Sequence, residues 1–163
     1  MTARDRVGLF GTGVMARGIA RLCLENGFDV IVQSGSDGRA EELAASLGGD
    51  DARVSTNRDD VAGCSIFVEA TVEEMEPKRR ALGLAEEVLP PDALMASTTS
   101  SLSITDLAAA LRRPGRMIGL HFFNPVHRMP LVEVVTGLRT DEPAVAVARR
   151  FVHALGKRPL RVP

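Results

Sequence analysis

The stretch Val7-Gly8-Leu9-Phe10-Gly11-Thr12-Gly13-Val14-Met15-Ala16-Arg17-Gly18-Ile19-Ala20 runs from an apolar strand through a glycine-rich turn into a helix. A bare G-x-G-x-x-G/A string is a weak signal, but one that leaves a strand and opens a helix has the context of a dinucleotide site. Gly11 permits the tight turn, Gly13 leaves room for a pyrophosphate to approach the backbone, and the small Ala16 lets the helix pack on the strand. The helix N-terminus then turns its amides toward the anion. Gly11, Gly13, Val14 and Met15 are the candidate cofactor contacts of this loop.

Outward from the loop, residues 14–26 read as a helix with Met15, Ile19, Leu22 and Cys23 facing inward and Asn26-Gly27 closing it. Residues 28–33 form a second strand, 34–38 a turn, and 39–47 a second helix closed by Gly48-Gly49. Strand and helix alternating in this way predict a parallel sheet with right-handed crossovers. A short third strand falls at Val54-Ser55 and a continuous apolar fourth one at 65–70, containing Glu69. Residues 74–89 carry a helical pattern that Pro77 can join only in its first turn, and 94–96 are the fifth strand. Ser103-Ile104-Thr105-Asp106 resembles a capping box opening a helix through Leu111. Residues 117–120 are a strand delivering His121 into a loop, and 131–135 another strand. A last helix over 143–155, with Pro143 at its start and Gly156 after its end, precedes a final strand at 158–162. No repeat, low-complexity segment or dividing linker interrupts the chain. The expectation is one α/β domain over residues 1–163, a Rossmann-type doubly wound, mostly parallel sheet. In such sheets ligands lie beyond the carboxyl ends of the strands, where Ser34, Glu69, residues 97–101 and His121 fall.

With 163 residues, 45% hydrophobic and 25% charged, the chain can bury the core of one globular domain. A net charge of -1 leaves no broad basic surface for nucleic acid. The first residues are charged and the apolar run after them is cut by glycines, which excludes a signal peptide or membrane span there and points to the cytoplasm. Cys23 and Cys64 stand alone in apolar segments, without metal-ligand spacing to each other or to His121, His127 and His153. They predict buried, reduced thiols and no metal site.

A nicotinamide dehydrogenase needs a base that takes a hydroxyl proton as hydride leaves carbon. The chain has no tyrosine, and its two lysines, Lys78 and Lys157, are not in a typical catalytic context, so histidine is left. His153 lies within the last helix and reads as packed or surface; His127 lies in a loop, and solvent exposure is its better reading. His121 precedes Phe122-Phe123-Asn124-Pro125, an apolar setting that can tune an imidazole; spacing alone leaves it between a base and a packed histidine. Glu133 interrupts the apolar strand Leu131-Val132-Glu133-Val134-Val135. It reads either as a carboxylate orienting that histidine or as an outward-facing residue of a period-two strand.

The segments Gly119-Leu120-His121-Phe122-Phe123-Asn124-Pro125 and Met129-Pro130-Leu131-Val132-Glu133-Val134 resemble the signature of the 3-hydroxyacyl-CoA dehydrogenases. The glycine loop, Glu69-Ala70-Thr71-Val72-Glu73-Glu74, Ala96-Ser97-Thr98-Thr99-Ser100-Ser101-Leu102 and Ala154-Leu155-Gly156-Lys157 match in the same order, so the resemblance spans essentially the whole chain. It implies that His121 is the general base and Glu133 its orienting partner. It further implies that Ser100 hydrogen-bonds the substrate hydroxyl, that Asn124 lies against the nicotinamide and reacting carbonyl, and that Glu73 and Lys78 line the cofactor side. The implied reaction is reversible oxidation of a 3-hydroxyacyl thioester by NAD.

The chain departs from the family pattern in three places. Ala16 stands where the family commonly has glycine, and Ser34 where its second strand usually ends in an aspartate gripping the adenosine ribose. Ser34, with Ser36 and Arg39 close behind, could accept a 2'-phosphate and so admit NADP; alternatively Ser34 weakens NAD binding and Asp37 replaces the lost contact. Past Pro163 the family continues into an all-helical domain supplying dimer contacts and part of the acyl pocket, and the expectation is that this C-terminal domain is absent from the chain. A homodimer is expected if such a domain exists. Two enzyme variants follow, one acting on CoA thioesters and one on an acyl carrier protein in polyketide extender-unit synthesis. The alternative is a dinucleotide-binding module without catalysis of its own. A 3-hydroxyacid dehydrogenase, which uses a lysine on a later helix, carries little weight here.

Overall fold

Strands that are apolar on both faces need helices on both faces, and the alternating elements supply them. The computed structural model describes residues 5–47 and 52–163. In it β1 (Arg6–Phe10) leads to α1 (Val14–Glu25), β2 (Asp29–Gln33) to α2 (Asp37–Leu47), and β3 (Ala52–Ser55) through a 3-10 turn at Arg58–Val61 to β4 (Ile66–Glu69). The chain continues through α3 (Met75–Glu86), β5 (Leu94–Ser97), the short α4 (Ile104–Ala108), β6 (Met117–Phe122), β7 (Leu131–Val135), α5 (Glu142–Ala154) and β8 (Arg158–Val162). The Gly48-Gly49 stop expected after α2 lies outside the described residues.

The strands form one sheet in the order β3-β2-β1-β4-β5-β6-β7-β8. Only β6 and β7 pair antiparallel; the other neighbours are parallel. β1 lies between β2 and β4, so the chain reverses its direction of travel across the sheet beside β1, and the crevice opens at that point. Alternation along the strands divides the core in two. Val7, Leu9, Val68 and Leu120 pack with Ile19, Leu43 and Phe151 of α1, α2 and α5, while Phe67 and Met95 pack with Leu82 and Leu107 of α3 and α4. Phe28, just after α1, meets Phe151 of α5 edge to face at 5.4 Å, a contact of about 1 kcal/mol beyond its buried area.

The predicted stops appear as left-handed glycines, Gly27 (φ +80) after α1 and Gly156 (φ +69) after α5. Ser103 Oγ accepts the Asp106 amide at 3.2 Å, capping α4 as expected. Several boundaries differ: β3 begins at Ala52, α2 begins at Asp37 inside the expected turn, and α3 ends at Glu86 rather than Leu89. α4 stops at Ala108 rather than continuing through Leu111, because the chain tightens there, Leu111 N reaching Ala108 O. The Glu86 carboxylate then takes the amides of Arg112 and Arg113. His121 lies inside β6 rather than in a loop after it, because antiparallel β7 extends the ladder through His121 and Phe122. Among the described residues no helix is long and apolar enough to cross a membrane.

Candidate active site

The glycine turn sits between the ends of three strands. The Gly11 amide donates to Gln33 O at 3.0 Å, its φ is +133, and a Cβ there would run into the carbonyl oxygen of Ala70. Glycine is therefore required by backbone conformation and by space at once. Gly13 caps α1 with an ordinary φ of -73, and a Cβ on it would meet nothing within 4 Å. Its smallness is not needed by the fold, and the space beside it is open to a ligand. α1 has neither a side-chain cap nor an acid in its first turn, so its N-terminal amides face that space uncompensated. Ala16 is fully buried against the strand, as the fingerprint requires.

The turn forms one wall of a cleft of about 810 Å³, the size of a small-molecule or cofactor site. Thr71 to Glu73 beyond β4, Thr98 and Ser100 beyond β5, and residues 121–124 on β6 and after it complete the walls; Gly35 and Arg39 line the end beside β2. Glu73 organises the loop after β5. One of its oxygens accepts from Thr99 Oγ1 at 2.6 Å, Ser100 N at 2.8 Å and Ser101 N at 3.1 Å, and from the Ser100 hydroxyl at 3.3 Å. The other lies 3.3 Å from Lys78 Nζ. Burial opposes the charge on Glu73, but the bonds from Thr99 and Ser100 and the Lys78 ammonium outweigh it and hold the carboxyl down to about 2.

Lys78 is fully buried, as is Glu69, and Lys78 Nζ stands 3.1 Å from both Glu69 oxygens. Glu69 also accepts from Ser97 Oγ at 2.6 Å and from the amide and hydroxyl of Thr71. A buried carboxylate is costly unless its lone pairs are filled in this way. The chain Glu69, Lys78, Glu73 thus runs under the cleft floor and ties the loop after β4 to the loop after β5.

On the far wall, His121 of β6 is directly opposite Glu133 of β7 in the antiparallel register. Their Nδ1 and Oε2 atoms are 2.7 Å apart, with 23% and 30% of the side chains exposed. A carboxylate only accepts, so Nδ1 carries a proton, and in the neutral form of the ring, which lines the cleft, Nε2 is the lone-pair nitrogen. Phe123 packs against the imidazole with ring centroids 4.6 Å apart.

Nine predicted site residues meet in this cleft: Gly11, Gly13, Val14, Met15, Arg39, Glu73, Ser100, His121 and Asn124. Three do not line it. Glu133 stands behind His121, Lys78 is enclosed beneath the floor, and Ser34 is 4% exposed with its hydroxyl turned to Ser36 O at 2.7 Å. Met15, expected on the inward face of α1, is only partly buried because it faces the cleft. His127 and His153 are exposed. Glu69, Ser97 and Thr99 were placed by the sequence at the carboxyl ends of the strands but given no role; Glu69, like Glu133, is a carboxylate inside an apolar strand and needs partners there. Cys23 and Cys64 are free and buried; burial pushes both thiols up, Cys64 to about 12 despite the opposing charge of Arg6. Among the described residues no group of three or more His, Cys, Asp or Glu side chains could hold a metal ion.

The family model of the 3-hydroxyacyl-CoA dehydrogenase NAD-binding domain matches residues 36–163. A 3-hydroxybutyryl-CoA dehydrogenase of Bradyrhizobium diazoefficiens is 38% identical over 93% of this chain and 59% of its own length. A fatty acid oxidation complex subunit alpha of Psychrobacter arcticus is 35% identical over 97% of this chain and 25% of its own. The crystal structure of (S)-3-hydroxybutyryl-CoA dehydrogenase from Ralstonia eutropha superposes with a TM-score of 0.92 at 32% identity, covering 98% of this chain and 64% of that one. The chain thus spans less than two thirds of the length of these relatives.

Proposed function

Because the chain belongs to the 3-hydroxyacyl-CoA dehydrogenase family, through that family's NAD-binding domain, we propose that residues 1–163 act as one dinucleotide-binding domain whose cleft takes NAD and a 3-hydroxyacyl thioester and interconverts the thioester with its 3-oxoacyl form. The observation that carries this reading is the His121–Glu133 pair at 2.7 Å on the wall of the cleft. NAD fits the residues present: the cleft is large enough, Gly13 leaves the approach to the α1 amides open, and Gly11 holds the turn.

When bound, NAD supplies a hydride acceptor, and its reduced form a donor. His121 Nε2 takes the hydroxyl proton in oxidation and returns it to the carbonyl oxygen in reduction. Glu133 fixes the tautomer that leaves Nε2 free and stabilises the imidazolium that forms. The Ser100 hydroxyl, held by Glu73 only at 3.3 Å, turns to the substrate oxygen, and the amide of Asn124, also on the cleft wall, lies against the nicotinamide and the reacting carbonyl. The carrier is CoA or an acyl carrier protein, and the compartment is the cytoplasm.

The test is reduction of 3-oxoacyl thioesters on CoA and on acyl carrier protein, followed by the absorbance of NADH. His121→Ala is expected to lower the rate by roughly a thousandfold while the calorimetric Kd for NADH stays within about twofold. A mutant with the parent's rate would remove His121 from the role of base. A second reading rests on the open approach at Gly13 to the uncompensated α1 amides, which bind a dinucleotide whether or not turnover follows: a dinucleotide-binding module without turnover of its own. It predicts NADH binding, no turnover on either carrier, and no effect of His121→Ala.

A further inference from the structure

In a doubly wound sheet the adenosine ribose lies at the carboxyl end of the second strand. A carboxylate there grips the 2'-hydroxyl and repels a 2'-phosphate, whereas a nearby arginine accommodates the phosphate. Among the described residues the end of β2 presents no carboxylate to the cleft. Gln33, its last residue, is 4% exposed and its amide nitrogen donates to Asn57 O at 3.1 Å. The Ser34 hydroxyl donates to Ser36 O at 2.7 Å and accepts the Ser36 amide at 3.2 Å, so it is closed on its own turn. Asp37, the next acid along the chain, lines a separate depression with Ala40, Val54 and Ser55. Glu73, which does line the cleft, comes from the loop after β4 and is bound to Thr99, Ser100, Ser101 and Lys78.

What faces the cleft at the β2 end is Gly35 and Arg39. Gly35 brings no side chain, and a Cβ on it would meet nothing within 4 Å, so the space in front of the turn is open. Arg39 is exposed, in the first turn of α2, and makes no hydrogen bond or ion pair with another described residue. Its guanidinium is a fork of donors suited to the oxygens of a phosphate, and no acid of the cleft wall competes for it.

We infer that Arg39 forms a subsite for a 2'-phosphate on the adenosine ribose, so that the cleft takes NADP as well as NAD. The inference rests on the reading of the cleft as a dinucleotide site. Ser34 contributes by what it is not: with its hydroxyl tied to Ser36, it neither grips the ribose nor repels a phosphate.

Calorimetric titration of the chain with NAD and with NADP tests it, on the parent and on Arg39→Ala and Ser34→Asp. The parent is expected to bind NADP within about tenfold of NAD, Arg39→Ala to weaken NADP by about tenfold with NAD held within about twofold, and Ser34→Asp to weaken NADP by at least about tenfold. Parent affinity for NADP more than about tenfold below that for NAD overturns the subsite. So does an Arg39→Ala loss equal for both, which would place the guanidinium against a part they share, such as the adenine. If NAD binds and NADP does not, only the subsite falls; if neither binds, the dinucleotide reading of the cleft falls with it.

Discussion

Lys78→Met keeps most of the buried stem and removes the ammonium between Glu69 and Glu73. Glu69 is fully buried and would keep only the Ser97 hydroxyl and the amide and hydroxyl of Thr71, with no cation. Removing one partner of a buried pair costs about 3–5 kcal/mol, because the remaining charge is uncompensated and solvent cannot screen it. The lost contact with Glu73 adds little, since that side chain is 38% exposed. At about 3 °C per kcal/mol for a chain of this size, the thermal midpoint should fall by roughly 12 °C. Circular dichroism melts at neutral pH measure it. The double variant Glu69→Gln/Lys78→Met, with no charge left buried, should recover at least about half of the loss. A single-variant midpoint within about 3 °C of the parent, or a double variant as unstable as the two single effects summed, would refute the view of this pair as a coupled charge beneath the cleft.

Gly11→Ala should abolish NAD binding in calorimetry and lower the melting point, since a Cβ there meets the Ala70 carbonyl at φ +133. Gly13→Ala should melt like the parent yet lose NAD affinity, because its Cβ meets nothing in the fold and enters the ligand's space; undiminished binding would count against the loop as a pyrophosphate site. Glu133→Gln should lower turnover by roughly 10²–10⁴-fold without changing NADH affinity, as a carboxamide can donate to Nδ1 and put the proton on Nε2; a rate within about threefold of the parent would contradict the tautomer argument. The Glu73 carboxyl is held at about 2 in the fold against an ordinary 4.5, so its charge stabilises the fold above 4.5 and that contribution is lost as pH falls through about 2. The parent's melting point should therefore fall more steeply over that window than that of Glu73→Gln, and parallel curves would show that Glu73 carries no such linkage.

Most of the fold was legible because its signals are short-range. The strand, glycine turn and helix of residues 7–20, the capping serine at Ser103 and the glycine stops at Gly27 and Gly156 each depend on neighbours within a few positions. The boundaries moved for local and distant reasons alike. α4 ends in a local tightening, Leu111 N reaching Ala108 O, before the Glu86 carboxylate takes the amides of Arg112 and Arg113, whereas β6 is longer because β7 pairs with it. The site divides in the same way. Of the residues expected beyond the strand ends, Thr98, Ser100 and His121 line the cleft, since the carboxyl ends of a parallel sheet share one edge, whereas Ser34 and Glu69 are enclosed, as is Lys78, which was expected beside the cofactor.

The sequence by itself determined the doubly wound class, the glycine turn at Gly11 and Gly13, and the set of side chains able to act as base or orienting acid, because chain-local periodicity and residue chemistry suffice for these. The resemblance implied that Glu133 partners His121, and only the tertiary structure decided how the two meet. The register of an antiparallel ladder puts His121 opposite Glu133, twelve residues apart in the chain. The burial of Lys78 between Glu69 and Glu73 turns a lysine expected at the cofactor into the support of the loop that carries Ser100. The fold of one turn after β2 closes Ser34 on Ser36 and leaves Arg39 facing the cleft. Partners and exposure are set by contacts between segments remote in sequence, and a linear pattern of residue types does not specify those contacts.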